Sequence, residues 1–213
     1  MKILNLYAGI GGNRKLWGDE HDITAVELNP SIAEIYKDYF PNDTVIVADA
    51  HQYLLDHFKE FDFIWSSPPC PTHSRMSNIN SARGMTKYPD MGLYQEIVLL
   101  KHRFDGLWVV ENVISYYDPL IEPKKVGNHY YWANFFIPNI EEPPRRIAHF
   151  DGVDTAQNIK DKEILYGYDL SKCDLSLTKK ELALKNCVEP KTGLHILNTA
   201  IGAIPPIQEG LFA

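Results

Sequence analysis

Residues 61–71 carry a thiol in a setting that reactive thiols need. Pro68-Pro69-Cys70-Pro71 follows the apolar run Phe61-Asp62-Phe63-Ile64-Trp65 and the pair Ser66-Ser67. The prolines fix the backbone at what reads as the carboxyl end of a buried strand, where α/β folds place their ligands. A cysteine held this way can act as a nucleophile. A second group stands downstream, where Leu107–Val110 ends in Glu111-Asn112. A carboxylate there either caps the next turn or, when enclosed, has a raised pKa and donates a proton or hydrogen bond to a base. Strands four and five are plausible neighbours, so Cys70 and Glu111 can face one pocket. A thiolate with a protonatable acid suits covalent addition to a heteroaromatic ring.

Gly9-Ile10-Gly11-Gly12 lies between a first strand and a first helix, and small residues there let a cofactor approach the backbone. Glu27 ends the second strand, where an acid can bind a ribose diol, and Asp49 ends the third, where an acid or nearby backbone can read an adenine edge. Together they describe an adenosyl pocket. They do not separate a dinucleotide from S-adenosylmethionine, although Gly-x-Gly-Gly leans towards the latter.

These groups need a scaffold that brings strand ends together. Strands are expected over 2–7, 23–27, 44–48, 61–65 and 107–110. Helices are expected near 12–18, from Asn29-Pro30-Ser31 to Tyr39, over 50–58 and over 91–103, the last with Met91, Tyr94, Ile97, Val98 and Leu100 as its apolar positions. This alternation predicts a doubly wound, mostly parallel, Rossmann-like sheet. Tyr130–Ile137 is strand-like, and Ile147–Phe150 is a further candidate strand. Residues 151–190 are polar and mixed, with a helical patch over 178–185. Ala200–Ile207 reads as the start of a final helix.

The 213 residues suffice for one sizeable core or one domain plus a small appendage. Three widely spaced cysteines argue against a disulfide framework or zinc site. Cys173 and Cys187 read as inert thiols, and no metal is expected. No apolar run approaches the roughly 20 residues of a membrane span. The N-terminus is too quickly polar for a signal peptide, so a cytoplasmic location is expected. The net charge of −7 is awkward for a nucleic-acid binder. Charge is segregated, however: residues 71–90 carry Arg75, Arg83 and Lys87 against Asp90.

The motifs taken jointly resemble one family. Leu6-Tyr7-Ala8-Gly9-Ile10-Gly11-Gly12, Glu27, Asp49, Pro68-Pro69-Cys70 with Ser74, and Glu111-Asn112-Val113 are similar in order and spacing to the cytosine-5 DNA methyltransferases. Tyr7 stands where that family usually has Phe. Gly127–Phe135 resembles a run of phage-type members, and Asn198–Pro206 resembles the last family motif.

The resemblance implies a class I S-adenosylmethionine-dependent methyltransferase fold with a small irregular subdomain. Residues 1–150 would be the catalytic domain, 151–190 a small target-recognition-like insert, and 191–213 a segment returning to the catalytic domain. S-adenosylmethionine would contact Tyr7, Ala8, Gly9, Ile10, Gly11, Gly12, Glu27, Leu28, Asp49, Ala50, Pro69 and Asn198. Cys70 would add to carbon 6 of a cytosine flipped out of the helix, with Glu111 holding N3 and the exocyclic amine. Arg146 would contact the ring, with Arg145 as the alternative register. Ser74, Arg75, Arg83, Lys87 and Arg145 would contact DNA.

The resemblance thus implies double-stranded DNA as partner, a bacterial or phage-infected cell, and a restriction–modification setting. Pro71 replaces the family's Gln, the Gln-x-Arg-x-Arg motif is degraded, and little chain remains for target recognition. A separate recognition subunit or a homodimer could supply what is missing. Rival readings are an RNA cytosine-5 methyltransferase, a catalytically impaired DNA-binding or regulatory relative, and, more weakly, a Rossmann oxidoreductase.

Overall fold

A computed structural model describes residues 1–75, 84, 87–140 and 155–202. Five strands alternate with helices as the sequence predicts: β1 (Lys2–Leu6), β2 (Asp22–Glu27), β3 (Thr44–Val47), β4 (Phe63–Ser66) and β5 (Leu107–Val113). Two more follow, β6 (Lys124–Val126) and β7 (His129–Ala133). The sheet order is β3-β2-β1-β4-β5-β7-β6. The first five strands run parallel, β7 is antiparallel to β5, and β6 is antiparallel to β7.

Both faces of the central strands are covered, so these strands read as near-continuous apolar runs. Leu4, Leu6, Val26, Ile64 and Val110 point to one face, against α2 (Ala50–His57) and α3 (Gly92–Arg103). Ile3, Ile23, Phe63, Trp65 and Val109 point to the other, with Trp17 and with Ile196 and Leu197 of α6 (Pro190–Ala200). On that same face Ala25 meets Tyr36 and Phe40 at the end of α1 (Pro30–Tyr39). Between them, α4 (Thr155–Tyr166) and α5 (Leu177–Lys185) enclose a smaller cluster of Ile159, Tyr166, Tyr168, Leu170 and Leu184. The architecture is the class I S-adenosylmethionine-dependent methyltransferase fold, with its mostly parallel Rossmann-like sheet.

Several boundaries differ from the sequence reading, each for a local reason. Residues 13–16 form one 3-10 turn rather than a longer helix. That turn is anchored by Arg14, whose Nε and second terminal nitrogen donate to the two Asp43 oxygens at 2.9 and 3.0 Å. The final described helix is Pro190–Ala200, not a segment beginning at Ala200. Pro190 is pre-organised for the first helical turn, and Gly202 (φ +75°) follows the helix end. Tyr94, Ile97 and Leu100 of α3 are buried as expected, Met91 and Val98 are exposed, and Leu93 and Glu96 are buried in addition. Residues 155–166 are helical where the sequence showed no apolar stripe. Lys124 and Lys125 lie on the short edge strand β6, where charge blunts edge-to-edge pairing. The candidate strand 147–150 lies outside the described residues. Among the described residues, no helix is long and apolar enough to cross a membrane.

Candidate active site

Cys70 lies just beyond the carboxyl end of β4, after a buried Pro68 and an exposed Pro69. Its carbonyl accepts from the amides of His73 at 3.0 Å and Ser74 at 3.1 Å, so the chain turns directly after the thiol. The neighbouring strand fixes this turn. Asn112 Nδ2 donates to the Pro68 carbonyl at 3.0 Å, and Asn112 Oδ1 accepts from the Val113 amide at 3.0 Å. Downstream, Ser74 bridges to Ser115, and His73 Nδ1 stands 2.6 Å from the Tyr117 hydroxyl. The thiol is thus carried on a segment tied at both ends.

Glu111 is enclosed within β5, with 7% of its surface exposed. Burial raises its carboxyl pKa. His129, whose Nε2 is 3.7 Å from Glu111 Oε1, opposes that rise, as does a hydrogen bond with the Ser67 hydroxyl. Ser67 Oγ in turn accepts from Trp65 Nε1 at 2.9 Å. Burial also pushes the Cys70 thiol up, and the Glu111 charge pushes it further. The two groups oppose each other's ionisation, so the thiolate forms most readily while Glu111 keeps its proton.

The glycine loop divides into an open part and a packed part. A Cβ on Gly9 (φ +57°) would meet nothing within 4 Å. A Cβ on Gly11 (φ +85°) would lie 2.3 Å from a Phe40 ring carbon and 2.8 Å from a Tyr36 ring carbon. On Gly12 it would lie 2.5 Å from the Val188 carbonyl. Ile10 is buried in the α4–α5 cluster, and its carbonyl accepts from the Tyr168 hydroxyl at 2.9 Å. Open space therefore lies at Gly9, beside Glu27, whose Oε2 accepts from the Gly9 amide at 3.0 Å and Oε1 from the Asn29 amide at 2.9 Å.

Leu28 is 67% exposed next to Glu27, and Asp49 is exposed at the start of α2, where Oδ1 accepts from the Gln52 amide. Ala8 and Ala50 are buried, and Asn198 is half-buried on α6, which packs on the Asn13–Leu16 turn. A cradle that a Cβ would fill, an acid and an exposed leucine fit an adenosyl group.

A pair of glycine substitutions separates these roles. Gly11→Ala is expected to destabilise the fold by about 3 kcal/mol in urea or thermal unfolding, combining overpacking with a left-handed backbone. Gly9→Ala should cost about 1 kcal/mol of stability, the left-handed backbone alone, and should weaken adenosyl-ligand binding in calorimetry.

Of the residues expected to contact nucleic acid, Ser74 and Arg75 stand four and five residues after Cys70, and Arg75 is exposed. Lys87 is exposed in the stretch leading to α3, which returns to the Cys70 segment through the Asp90 amide on Thr72 Oγ1 at 3.0 Å. Arg83, Arg145 and Arg146 lie outside the described residues. The sequence reading missed Ser67, His129, His51 and Glu96. The first precedes Pro68 directly, and the last had a visible signal, since it falls on the same helical face as Leu93 and Leu100. A cavity of about 240 Å³ lined by Trp108, Ala133 and Asn134 opens at the amino end of β5, away from Cys70.

Residues 1–117 match the family described as C-5 cytosine-specific DNA methylase, a stretch that contains the glycine loop, Cys70 and Glu111. The chain belongs to this family. Over 80 residues it is 34% identical to a tRNA (cytosine(38)-C(5))-methyltransferase of Spodoptera frugiperda, a match covering 35% of this chain and 24% of that protein. A tRNA (cytosine(38)-C(5))-methyltransferase of Mus musculus is 29% identical over 82 residues, covering 36% of this chain and 20% of that protein. The matches therefore span a quarter or less of the curated relatives' length. A crystal structure of Spodoptera frugiperda DNMT2 overlaps 77% of this chain and 65% of that one, at 18% identity and a TM-score of 0.45.

These relatives correct the substrate. Both are tRNA methyltransferases by name, which overturns the expectation of a DNA methyltransferase acting on duplex DNA. The phage-like membership and the restriction–modification setting fall with it. The reason is physical. The C-5 cytosine-specific methylase motifs read by sequence serve the donor and the cytosine ring, and both are the same whether the sugar is ribose or deoxyribose. What distinguishes RNA is the 2′-hydroxyl and the unpaired shape of its loops.

Proposed function

We propose that the chain is an S-adenosylmethionine-dependent RNA cytosine-5 methyltransferase with a tRNA-class substrate. The observation that carries the chemistry is the pairing of Cys70, just beyond β4, with an enclosed Glu111 on the neighbouring parallel strand β5. The named activity of the curated relatives supports RNA as the substrate.

The side chains act in sequence. Glu111, carrying its proton, donates to N3 of the cytosine and draws electron density from the ring. The Cys70 thiolate adds to carbon 6, and the electron pair of the 5,6 double bond moves to carbon 5. S-adenosylmethionine supplies an electrophilic methyl group when bound. Glu27, the Gly9 backbone and Asp49 would hold its adenosyl part. After carbon 5 takes the methyl, its proton passes to solvent or a nearby base, the 5,6 double bond re-forms as the Cys70 thiolate leaves carbon 6, and N3 returns its proton to Glu111. Asn112 keeps the Pro68 carbonyl, and with it the thiol, at a fixed height over β5. Tyr88, 95% exposed, offers a ring on which an unpaired base can stack.

Incubation with methyl-labelled donor and separate pools of small RNA, large RNA and genomic DNA tests the reading. Label is expected in small RNA and should digest to 5-methylcytidine. Label confined to DNA, or none in any pool, would overturn it.

A further inference from the structure

Glu96 is 1% exposed on α3, yet nothing in the proposed chemistry uses it. Its Oε1 accepts from Tyr7 Oη at 2.6 Å and stands 2.9 Å from His51 Nδ1. Its Oε2 accepts from Ser66 Oγ at 2.5 Å. The three partners come from three separate segments of the sheet's carboxyl edge. Tyr7 opens the donor loop and adopts a left-handed backbone (φ 55°), which a non-glycine residue rarely takes. His51 sits in the first turn of α2, two residues after Asp49. Ser66 is the last residue of β4, four before Cys70.

We propose that Glu96 is a positioning residue for methyl transfer, holding the donor loop and the nucleophile's strand in one register, with protonated His51 as its counter-charge. This rests on the reading of the chain as an S-adenosylmethionine-dependent enzyme. A buried carboxylate is tolerated where charge and hydrogen bonds compensate it, and His51 is the cationic partner the structure shows. Moving either loop would strip donors from Glu96, so the two move together or not at all.

The groups facing His51 set the pH dependence. Glu96 acts on it first, through a hydrogen bond and its charge, with Asp49 and Gln95 adding to the effect. Partial burial opposes them, and the net effect raises His51 above its ordinary value. The Tyr7 phenol, pushed up by burial and then by Glu96, stays neutral. His51 therefore holds its charge to a higher pH than a free imidazole does and loses it as pH rises through its raised pKa. The hold on Tyr7 weakens on the alkaline side.

The test is the dissociation constant of S-adenosylmethionine, without nucleic acid, from about pH 6 to 9. Wild type should bind more weakly as pH rises. His51→Gln should show a flat profile at the wild type's alkaline value. Tyr7→Phe should remain folded but bind on the order of tenfold more weakly, having lost one hydrogen bond to a charged group. Ser66→Ala should lower kcat severalfold with the donor KM unchanged. A pH-independent wild type, or a Tyr7→Phe variant that binds as wild type does, overturns the proposal and leaves the enzyme reading standing. A wild type that binds no donor at any pH overturns both.

Discussion

Replacing Cys70 with serine should lower methyl transfer by at least about 10³-fold while leaving donor binding intact. The loss is large because the reaction has no low route around the nucleophile. Carbon 5 of cytosine is a poor nucleophile until something adds at carbon 6, and an alcohol at neutral pH is a far weaker adding group than a thiolate. Cys70 is not paired in a disulfide, and its segment is held from both sides, by Asn112 on the Pro68 carbonyl and by the Ser74–Ser115 bridge. Substitution by the slightly smaller serine should therefore not disturb the pocket. A covalent readout makes the test independent of turnover. RNA with fluorine at carbon 5 of the target cytosine can accept Cys70 and the methyl group, but that carbon then has no proton to lose. The wild-type chain should stay attached to such RNA and migrate as an adduct on a denaturing gel. Cys70→Ser should form none. Methyl transfer by Cys70→Ser at near wild-type rate would rule out the covalent route.

How legible this site was in the sequence depends on what kind of constraint each residue obeys. The parallel core announced itself because a strand covered on both faces has to be apolar throughout, as Phe63-Ile64-Trp65 and Trp108-Val109-Val110 are. Cys70, Glu27 and Asp49 were visible because they sit at or just past strand ends, and Glu111 because it interrupts the apolar run of β5. The 3-10 turn at 13–16 was not legible as such. Its length is set by the Arg14–Asp43 pair, whose partners are 29 residues apart. Helix α4 was invisible because its packing against α5 leaves Ile164 and Leu165 exposed and buries Lys162, which erases the expected stripe. The glycine loop was read as one cofactor surface, yet the structure turns Gly11 and Gly12 towards aromatic rings and the Val188 carbonyl. A sequence shows that glycine is needed there, but not whether ligand or protein crowds it. The choice between DNA and RNA was out of reach for a further reason: the motifs describe a ring and a donor, which both substrates share.

Glu111→Gln should reduce kcat/KM by about 10²–10⁴-fold, the usual range for losing a positioned general acid. The amide can still donate a hydrogen bond to N3, but it cannot deliver a proton as the ring takes up the thiolate. The pH profile separates this loss from simple misplacement. In wild type, burial raises the Glu111 carboxyl and burial plus the Glu111 charge raises the Cys70 thiol. The productive form needs the acid protonated and the thiol ionised. Lowering pH removes the thiolate, and raising it removes the acid's proton, so kcat/KM should be bell-shaped. Its limbs belong to the coupled pair rather than to either residue alone. In Glu111→Gln the neutral amide no longer repels the thiolate, so the Cys70 pKa should fall, though burial, the larger cause, keeps it above that of a free thiol. The bell should then collapse to a single rise with pH. Alkylation of Cys70 at neutral pH should become faster in the variant even as methyl transfer becomes slower. These opposite changes follow only if Glu111 both restrains the thiol and activates the ring. Slower alkylation in Glu111→Gln would mean that the carboxylate serves as the thiol's base, and the proposed division of roles would have to be reversed.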